Sequence, residues 1–574
     1  MTVPSATQLR LREHHVFLAL TILVGVLAGL SAVLFTVAID RATRVFFGLD
    51  PSAARLFLVP VLVSLLTGWL LNRVFPGVRG SGVPQTEAAF HLNGGVIPAR
   101  VPIGKFLTGV LCIGSGHSMG REGPSVQIGA GLASSIGRWL QLSPARVKEL
   151  VPVGAAGALA AAFNTPVAAV LFALEEIIGD MNASLLGSTV VASVASVVVE
   201  RSILGNEPLF RVPTYHLEHP AELLAYAALG VTGGVVSLVF CKGLLYARAL
   251  FLRLPVSTRM LQPAMGSLVI GILLVAVPQV MGVGYEYVDQ ALNGGLLFKT
   301  MVLLCVVKLA ATIISYSSGN AGGIFAPSLY IGAMTGGALG MLVHRLAPFP
   351  TADPGAYALV GMGTLFAGIV RAPMTSVFMI FEITQDYQIL VPLMVANLLS
   401  FMISRRYQPV PVYHALLQQD HVHLPGMTGR APRASWTARE VMSPAPPEVP
   451  VDQPIEKVAA TLRHATGLLI EDGGRFVGVV TGARLAQALE AGQGAAPVGS
   501  LLDGHTVHAH PDHDSDTVLE RLGEADGLLP VVSREDAQRV IGVVTVADVI
   551  GFMRRRSRAT GGKESASQTP PRPT

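Results

Sequence analysis

The chain has 574 residues and a formal net charge of +4, with 41 Lys and Arg against 37 Asp and Glu. Charged side chains make up 14%, where soluble proteins carry about 25%, and hydrophobic residues make up 51%. That balance excludes a purely soluble enzyme and a disordered scaffold. The continuous apolar runs argue against a transmembrane β-barrel, and the small basic surplus makes no case for nucleic-acid binding.

In chain order, the polar and basic stretch MTVPSATQLRLREHH precedes the first long apolar run. No small-residue cleavage site follows, so we read a signal anchor, with residues 1–13 as a short cytoplasmic segment. Residues 14–418 form the membrane region. Long apolar candidates are 16–39, 56–71, 221–241, 264–281, 299–315 and 389–403. Between them lie shorter segments broken by Gly and Pro, at 101–116, 122–136, 165–178, 324–342 and 373–384. Many are too short for a ~30 Å hydrocarbon core at ~1.5 Å per residue. Broken helices persist at membrane depth only when buried in protein or lining a cavity, so the pattern points to permeation.

The membrane region contains a repeat. NTPVAAVLFALE (164–175) aligns with RAPMTSVFMIFE (371–382), and GREGP (120–124) with GIFAP (323–327). Two like-ordered, Gly/Pro-interrupted segments in two halves fit a transporter whose site lies at the repeat interface. Three glycine-rich segments and one tyrosine carry the chemistry: Gly80-Ser81-Gly82-Val83-Pro84, Gly120-Arg121-Glu122-Gly123-Pro124, Gly322-Gly323-Ile324-Phe325-Ala326-Pro327, and Pro411-Val412-Tyr413. Pro is accepted in a first helical turn, and Gly permits close backbone approach. Helix N-termini converging at mid-membrane bind an anion without a full positive charge.

These segments resemble the signatures of the CLC family of chloride channels and chloride/proton antiporters, GSGIP, GREGP, GxFxP and a late tyrosine, in the family's order. The resemblance implies an all-α polytopic membrane protein with inverted-repeat architecture and broken re-entrant helices. It implies a chloride site made by Ser81, Ile324, Phe325 and Tyr413, with Gly80, Gly82, Gly120, Gly123 and Gly323 allowing the approach. Glu122 is then the gating glutamate, and Glu176 the glutamate that receives protons in exchangers, where channels carry an uncharged residue. Glu175 reads as structural, and Lys105 as electrostatic support near the pathway. Ser81 stands where nitrate-preferring members carry Pro, which implies chloride as substrate. The expected activity is chloride/proton antiport by a homodimer in the lipid bilayer, with no enzyme activity and no required cofactor. A passive chloride channel of the same fold is the alternative. A CBS-bearing divalent-cation permease would need acidic membrane clusters beyond the Glu175–Glu176 pair.

Charge density then changes. Residues 301–400 hold six charged side chains and residues 431–530 hold twenty-one. A linker at 419–436 leads into two copies of one module, 437–490 and 497–555, with strands ending in GVVT at Gly478–Thr481 and Gly542–Thr545. This resembles a CBS pair, an α/β cytoplasmic module. The resemblance implies an ATP- or AMP-type nucleotide at Thr545 and Asp548, while Arg484 replaces the matching aspartate in the first copy. His505, His508, His510 and His513 read as a solvated linker, with no metal site expected. Residues 556–574 read as a disordered tail. Cys112, Cys241 and Cys305 make neither zinc spacing nor a disulfide framework and read as buried small hydrophobes. Arg405 and Arg406 follow the positive-inside tendency. With a cytoplasmic C-terminus and an Ala/Gly/Arg-rich style, a bacterial inner membrane is the expected location.

Overall fold

The computed structural model describes residues 6–180, 183–205, 209–210, 212, 217–422, 424, 436–461, 467–502, 506–525 and 527–564. The chain divides into two compact units, Met1–Gly429 and Arg430–Thr574.

The first unit is helical. Its first eight helices are α1 (Ala6–Phe47), α2 (Ala53–Trp69), α3 (Val83–Leu92), α4 (Arg100–Gly114), α5 (Glu122–Trp139), α6 (Pro144–Phe163), α7 (Pro166–Phe172) and α8 (Ala183–Leu204). Eight more follow in the same rhythm: α9 (Glu222–Arg253), α10 (Gln262–Ala276), α11 (Tyr285–Leu292), α12 (Phe298–Ser317), α13 (Phe325–Leu346), α14 (Pro354–Ile369), α15 (Pro373–Thr384) and α16 (Leu390–Tyr407). A last short helix, α17 (Val412–Gln419), closes the unit. Corresponding helices start roughly 200 residues apart, so the repeat covers the whole unit and not only the aligned motifs.

Local sequence explains several of these starts. α6, α7, α14 and α15 each open on Pro, which lacks only an N–H that a first turn leaves unpaired anyway. α14, and α6 from Leu150 onward, are apolar all round, rich in Ala and Gly, and buried, as central helices must be. They pack on α5 and α13 at mirrored glycine pairs. A Cβ on Gly129 would run into the Gly154 carbonyl and one on Gly154 into the Gly129 carbonyl, and Gly332 and Gly361 repeat the arrangement. Backbone approach of this kind is how helices pack where lipid offers no hydrophobic drive.

Six helices are long and apolar enough to cross a membrane: Phe17–Phe47, Ala53–Val74, Leu185–Leu204, Glu222–Arg253, Phe298–Ser317 and Phe325–Leu346. Four match the long apolar candidates. The expected span 264–281 is a shorter helix ending at Ala276, and the expected short segment 324–342 is a 22-residue helix. α6, α8 and α14 were not anticipated. α1 begins at Ala6, inside the segment expected to precede the first helix.

The second unit holds two three-stranded sheets. One has the order β2 (Glu448–Pro450), β3 (Gly467–Asp472), β4 (Arg475–Thr481); the other has β1 (Ser443–Pro444), β6 (Val540–Thr545), β5 (Leu528–Val532). The GVVT segments end β4 and β6, as the sequence pattern implied. Strand β1 of the first copy pairs antiparallel with β6 of the second, so the copies share a sheet. Trp436, expected in the linker, is buried in this unit with its ring tilted against that of Phe552, centroids 6.1 Å apart. The final helix, Val546–Glu564, carries on through residues 556–564, which were expected in the disordered tail; residues 565–574 and most of the linker, 425–435, lie outside the described residues.

Candidate functional site

The three glycine motifs meet. Gly80 bridges Ala321, and Gly120 bridges Gly323. The second bridge is reciprocal: Gly120 N–H donates to the Gly323 carbonyl at 2.8 Å, and Gly323 N–H to the Gly120 carbonyl at 2.8 Å. A pseudo-two-fold relation between the repeats demands this exchange. Gly82 sits at φ +106, a left-handed conformation open to glycine, and starts α3 directly after Ser81. Gly123 has no space for a side chain, because a Cβ there would strike Ser81 Oγ.

Around this junction α3, α5, α13 and α17 all begin, at Val83, Glu122, Phe325 and Val412. Their first-turn N–H groups are the unpaired donors of any helix start. Ser81 and Tyr413 are fully buried, and their hydroxyls influence each other, yet neither has a hydrogen-bond partner within bonding geometry among the described residues. Two buried hydroxyls without a protein partner beside helix N-termini are unusual, because buried polar groups are nearly always paired. The arrangement suits a small anion that accepts from all of them. Ile324 and Phe325 are buried at the start of α13.

Glu122 is buried at the first position of α5. Its Oε1 accepts from the Tyr285 hydroxyl at 2.6 Å, and its Oε2 from Ala326 N–H at 3.3 Å. The carboxylate therefore occupies an acceptor position at the start of α13, beside Ile324 and Phe325. Tyr285 comes from the second repeat, with Arg121 Cζ 5.7 Å from its ring centroid and Phe210 against its edge. Sequence reasoning missed it. A signal existed: GVGYE (282–286) stands in the second repeat where GSGVP (80–84) stands in the first, and LNGG follows both, at 92–95 and 292–295.

Glu176 and Glu175 part company. Glu175 accepts from Thr375 N–H at 2.9 Å, Thr375 Oγ1 at 2.8 Å and Met374 N–H at 3.3 Å, so it caps α15. Its repeat mate Glu382 caps α7, accepting from Val167 N–H at 2.9 Å and Ala168 N–H at 2.7 Å. The two caps are reciprocal, and the structural role read for Glu175 matches this geometry. Glu176 is buried in a π-helical turn (Ala173–Ile178), and its Oε1 has no partner among the described residues. π-turns are frequent at functional sites. Near it, buried Glu87 of α3 pairs through Oε1 with His414 Nε2 of α17, leaving Glu87 Oε2 and His414 Nδ1 without partners among the described residues. Neither residue was singled out from the sequence.

Lys105 is buried, and its ammonium donates to the Val78 carbonyl at 2.9 Å and the Gly80 carbonyl at 2.6 Å. It braces the loop that carries Ser81. Lys308 repeats the arrangement on the Val280 and Gly282 carbonyls at 3.1 and 2.7 Å. Arg371 donates to the Pro409 and Ser404 carbonyls.

In the second unit Asp548 is occupied by the protein itself. Ser443 Oγ donates to Oδ1 at 2.5 Å, and Thr545 N–H and Oγ1 donate to Oδ2 at 2.9 and 2.6 Å. Partial burial opposes the charge of Asp548, but the Ser443 and Thr545 hydrogen bonds outweigh it and hold the carboxyl below its ordinary range. Arg484 Nη1 donates to the Leu501 carbonyl at 3.3 Å. Among the described residues no three His, Cys, Asp or Glu side chains are placed to hold a metal; His505 lies outside them. Cys112 and Cys241 are buried thiols, while Cys305 is only half-buried.

A two-repeat helical membrane protein with helix starts gathered around a pair of buried, unpartnered hydroxyls defines a class of anion-handling permeases. The voltage-gated chloride channel family profile matches residues 63–405, and the CBS domain profile matches 438–491 and 498–555. The chain belongs to the CLC family and carries a CBS pair. It is 33% identical to the H(+)/Cl(-) exchange transporter ClcA of Vibrio campbellii over 411 residues, covering 69% of this chain and 88% of that protein. The ClcA of Vibrio cholerae is 31% identical over 420 residues, covering 70% and 89%. Among solved structures, a slow cyanobacterial Cl-/H+ antiporter aligns with a TM-score of 0.63 at 29% identity, covering 70% of this chain and 97% of that one. A eukaryotic CLC transporter shares the fold at a TM-score of 0.61 and 20% identity, covering 93% and 97%.

Proposed function

We propose that the chain exchanges chloride for protons across a membrane. Chloride lodges between Ser81, Tyr413 and the N–H groups of Ile324 and Phe325, and Glu122 is the group that competes with it. The observation that carries this reading is the pair of buried, partnerless hydroxyls beside the Glu122 carboxylate, which already takes an N–H of α13. A carboxylate that leaves on protonation opens that place to an anion, so the charged carboxylate and chloride exclude one another and proton arrival is tied to chloride movement. Glu176, buried with an unpaired oxygen, supplies the proton from the other side. Its presence favours exchange over a passive channel, and the names of the ClcA relatives agree.

Family membership also supports a homodimer in a bacterial inner membrane with a cytoplasmic C-terminus; closed two-fold symmetry is the commonest oligomer. An adenine nucleotide at Thr545 and Asp548 has the local bonding against it, because the Asp548 carboxylate already serves the Ser443–Thr545 junction. Calorimetric binding of ATP or AMP that Asp548→Ala abolishes would restore that role.

The transport reading is tested by two substitutions in sealed proteoliposomes. Glu122→Gln, a mimic of the protonated state, keeps chloride flux and loses coupled proton movement. Glu176→Val loses proton movement and retains chloride flux. Full proton coupling in folded Glu122→Gln protein would remove Glu122 from the gate.

A further inference from the structure

Glu176 is only 7% exposed, so a proton bound for it needs a carrier from the surface. The fold offers a route. α3 packs against both α17 and the π-helical turn that holds Glu176. From α3, His91 Nε2 donates at 3.1 Å to the carbonyl of Ile177, the residue after Glu176. Glu87, one turn earlier on α3, is completely buried and within electrostatic reach of Glu176. From α17, His414 Nε2 bonds Glu87 Oε1. The His414 side chain is 15% exposed, where that of Glu87 is not exposed at all. α17 is the last helix of the first unit, and Asp420 and His421 just beyond it are exposed. The three groups therefore run from surface to interior in the order His414, Glu87, Glu176.

Three polar atoms along this line have no partner among the described residues: His414 Nδ1, Glu87 Oε2 and Glu176 Oε1. Buried polar atoms are nearly always paired, and three so close together mark a place where water or a shared proton completes the bonding. The other charged and titratable groups nearby are committed elsewhere. Glu175 caps α15, His91 holds the π-helical turn, and Lys148 lies over the Phe90 ring. Arg371 bonds the Pro409 and Ser404 carbonyls, and Arg248 bonds Asp420. Imidazole is the side chain suited to shuttling protons near neutral pH, and a carboxylate bonded to it is the next stop inward.

We infer that His414 and Glu87 form the relay that loads Glu176 with its proton. The His414 imidazolium gives the proton on Nε2 to Glu87 Oε1. The neutral imidazole left behind regains one from water at the protein surface. Glu87 gives up a proton to the Glu176 carboxylate and returns to its charged form. In each pass one proton leaves the water and one arrives at Glu176. Tyr413 and His414 are neighbours in sequence, so one short helix carries both the proposed chloride ligand and the proton entrance. The relay rests on the proposed exchange of chloride for protons.

The test uses the full-length protein in sealed proteoliposomes, with proton and chloride movement measured side by side. His414→Gln keeps an N–H for Glu87 but cannot carry the proton. Its proton movement should fall about tenfold while chloride flux continues, so more chloride crosses per proton. Glu87→Gln should do the same. Free imidazole added to His414→Ala protein should restore proton movement, and the same addition to Glu176→Val should not. Imidazole that restores nothing in His414→Ala would reduce the histidine to a structural brace and overturn the relay. Wild-type proton-to-chloride ratios in both His414→Gln and Glu87→Gln would overturn the relay and leave the exchange reading standing. An absence of proton movement in the wild-type protein would overturn the exchange reading, and the relay with it.

Discussion

The two repeats of the membrane unit are built alike and equipped differently. Lys105 and Lys308 brace matching loops on two carbonyls each, Glu175 and Glu382 cap each other's partner helix, and Gly129–Gly154 recurs as Gly332–Gly361. The chemistry does not recur. Where the first repeat has Ser81, Glu122 and Glu176, the second has Val283, Phe325 and Ile383. Duplicated residues hold the fold, and unduplicated ones sit where the anion and the proton would travel. Tyr285 is the informative exception: in the position of Val83, it reaches across to Glu122. The second repeat thus contributes a donor to a carboxylate of the first.

Breaking the lysines should separate scaffold from chemistry with the largest effect. Lys105→Met and Lys308→Met each leave two buried carbonyls without a donor, and each should cost roughly 3 kcal/mol of stability, read as earlier thermal unfolding in detergent. In the surviving folded protein, only Lys105→Met should also weaken chloride binding, because its loop carries Ser81. Equal chloride affinity in both variants would mean that the loop does not position the hydroxyl.

A smaller change sharpens the cross-repeat contact. Tyr285→Phe removes one hydrogen bond to the Glu122 carboxylate and nothing else. Chloride turnover should rise about three- to tenfold, since the carboxylate leaves its place more readily. Unchanged turnover would make the Tyr285 contact incidental.

The smallest effect lies in the second unit. Asp548→Asn weakens the Ser443–Thr545 junction and should cost about 1 kcal/mol at neutral pH. The folded carboxyl lies below its ordinary value, so its contribution is present above that value and fades as pH falls through the lowered one. Wild type and variant should therefore converge in acid. A gap that persists in acid would show that shape, not charge, matters there.

Much of this was legible in the sequence, for physical reasons. A backbone that approaches an ion needs Gly, and a helix that starts in mid-membrane tolerates Pro, so GSGVP, GREGP and GIFAP announce themselves. The alignment of Glu175 with Glu382 foretold a structural pair. Other features left weaker traces. α6 and α14 are rich in Ala and Gly, whose modest hydropathy hides central helices from a search for long apolar runs. Tyr285, Glu87 and His414 are single polar residues whose meaning comes from a partner far away in sequence, and only the fold brings those partners together. The disordered tail was placed too early because its polar composition masked a helix continuing to Glu564.

The most direct test of the central claim is proton movement in sealed proteoliposomes driven by a chloride gradient, with the voltage clamped by a potassium ionophore. The account predicts protons moving against their own gradient, and the loss of that movement in Glu122→Gln. Chloride flux with no proton movement in the wild-type protein would contradict it and leave a passive channel in its place.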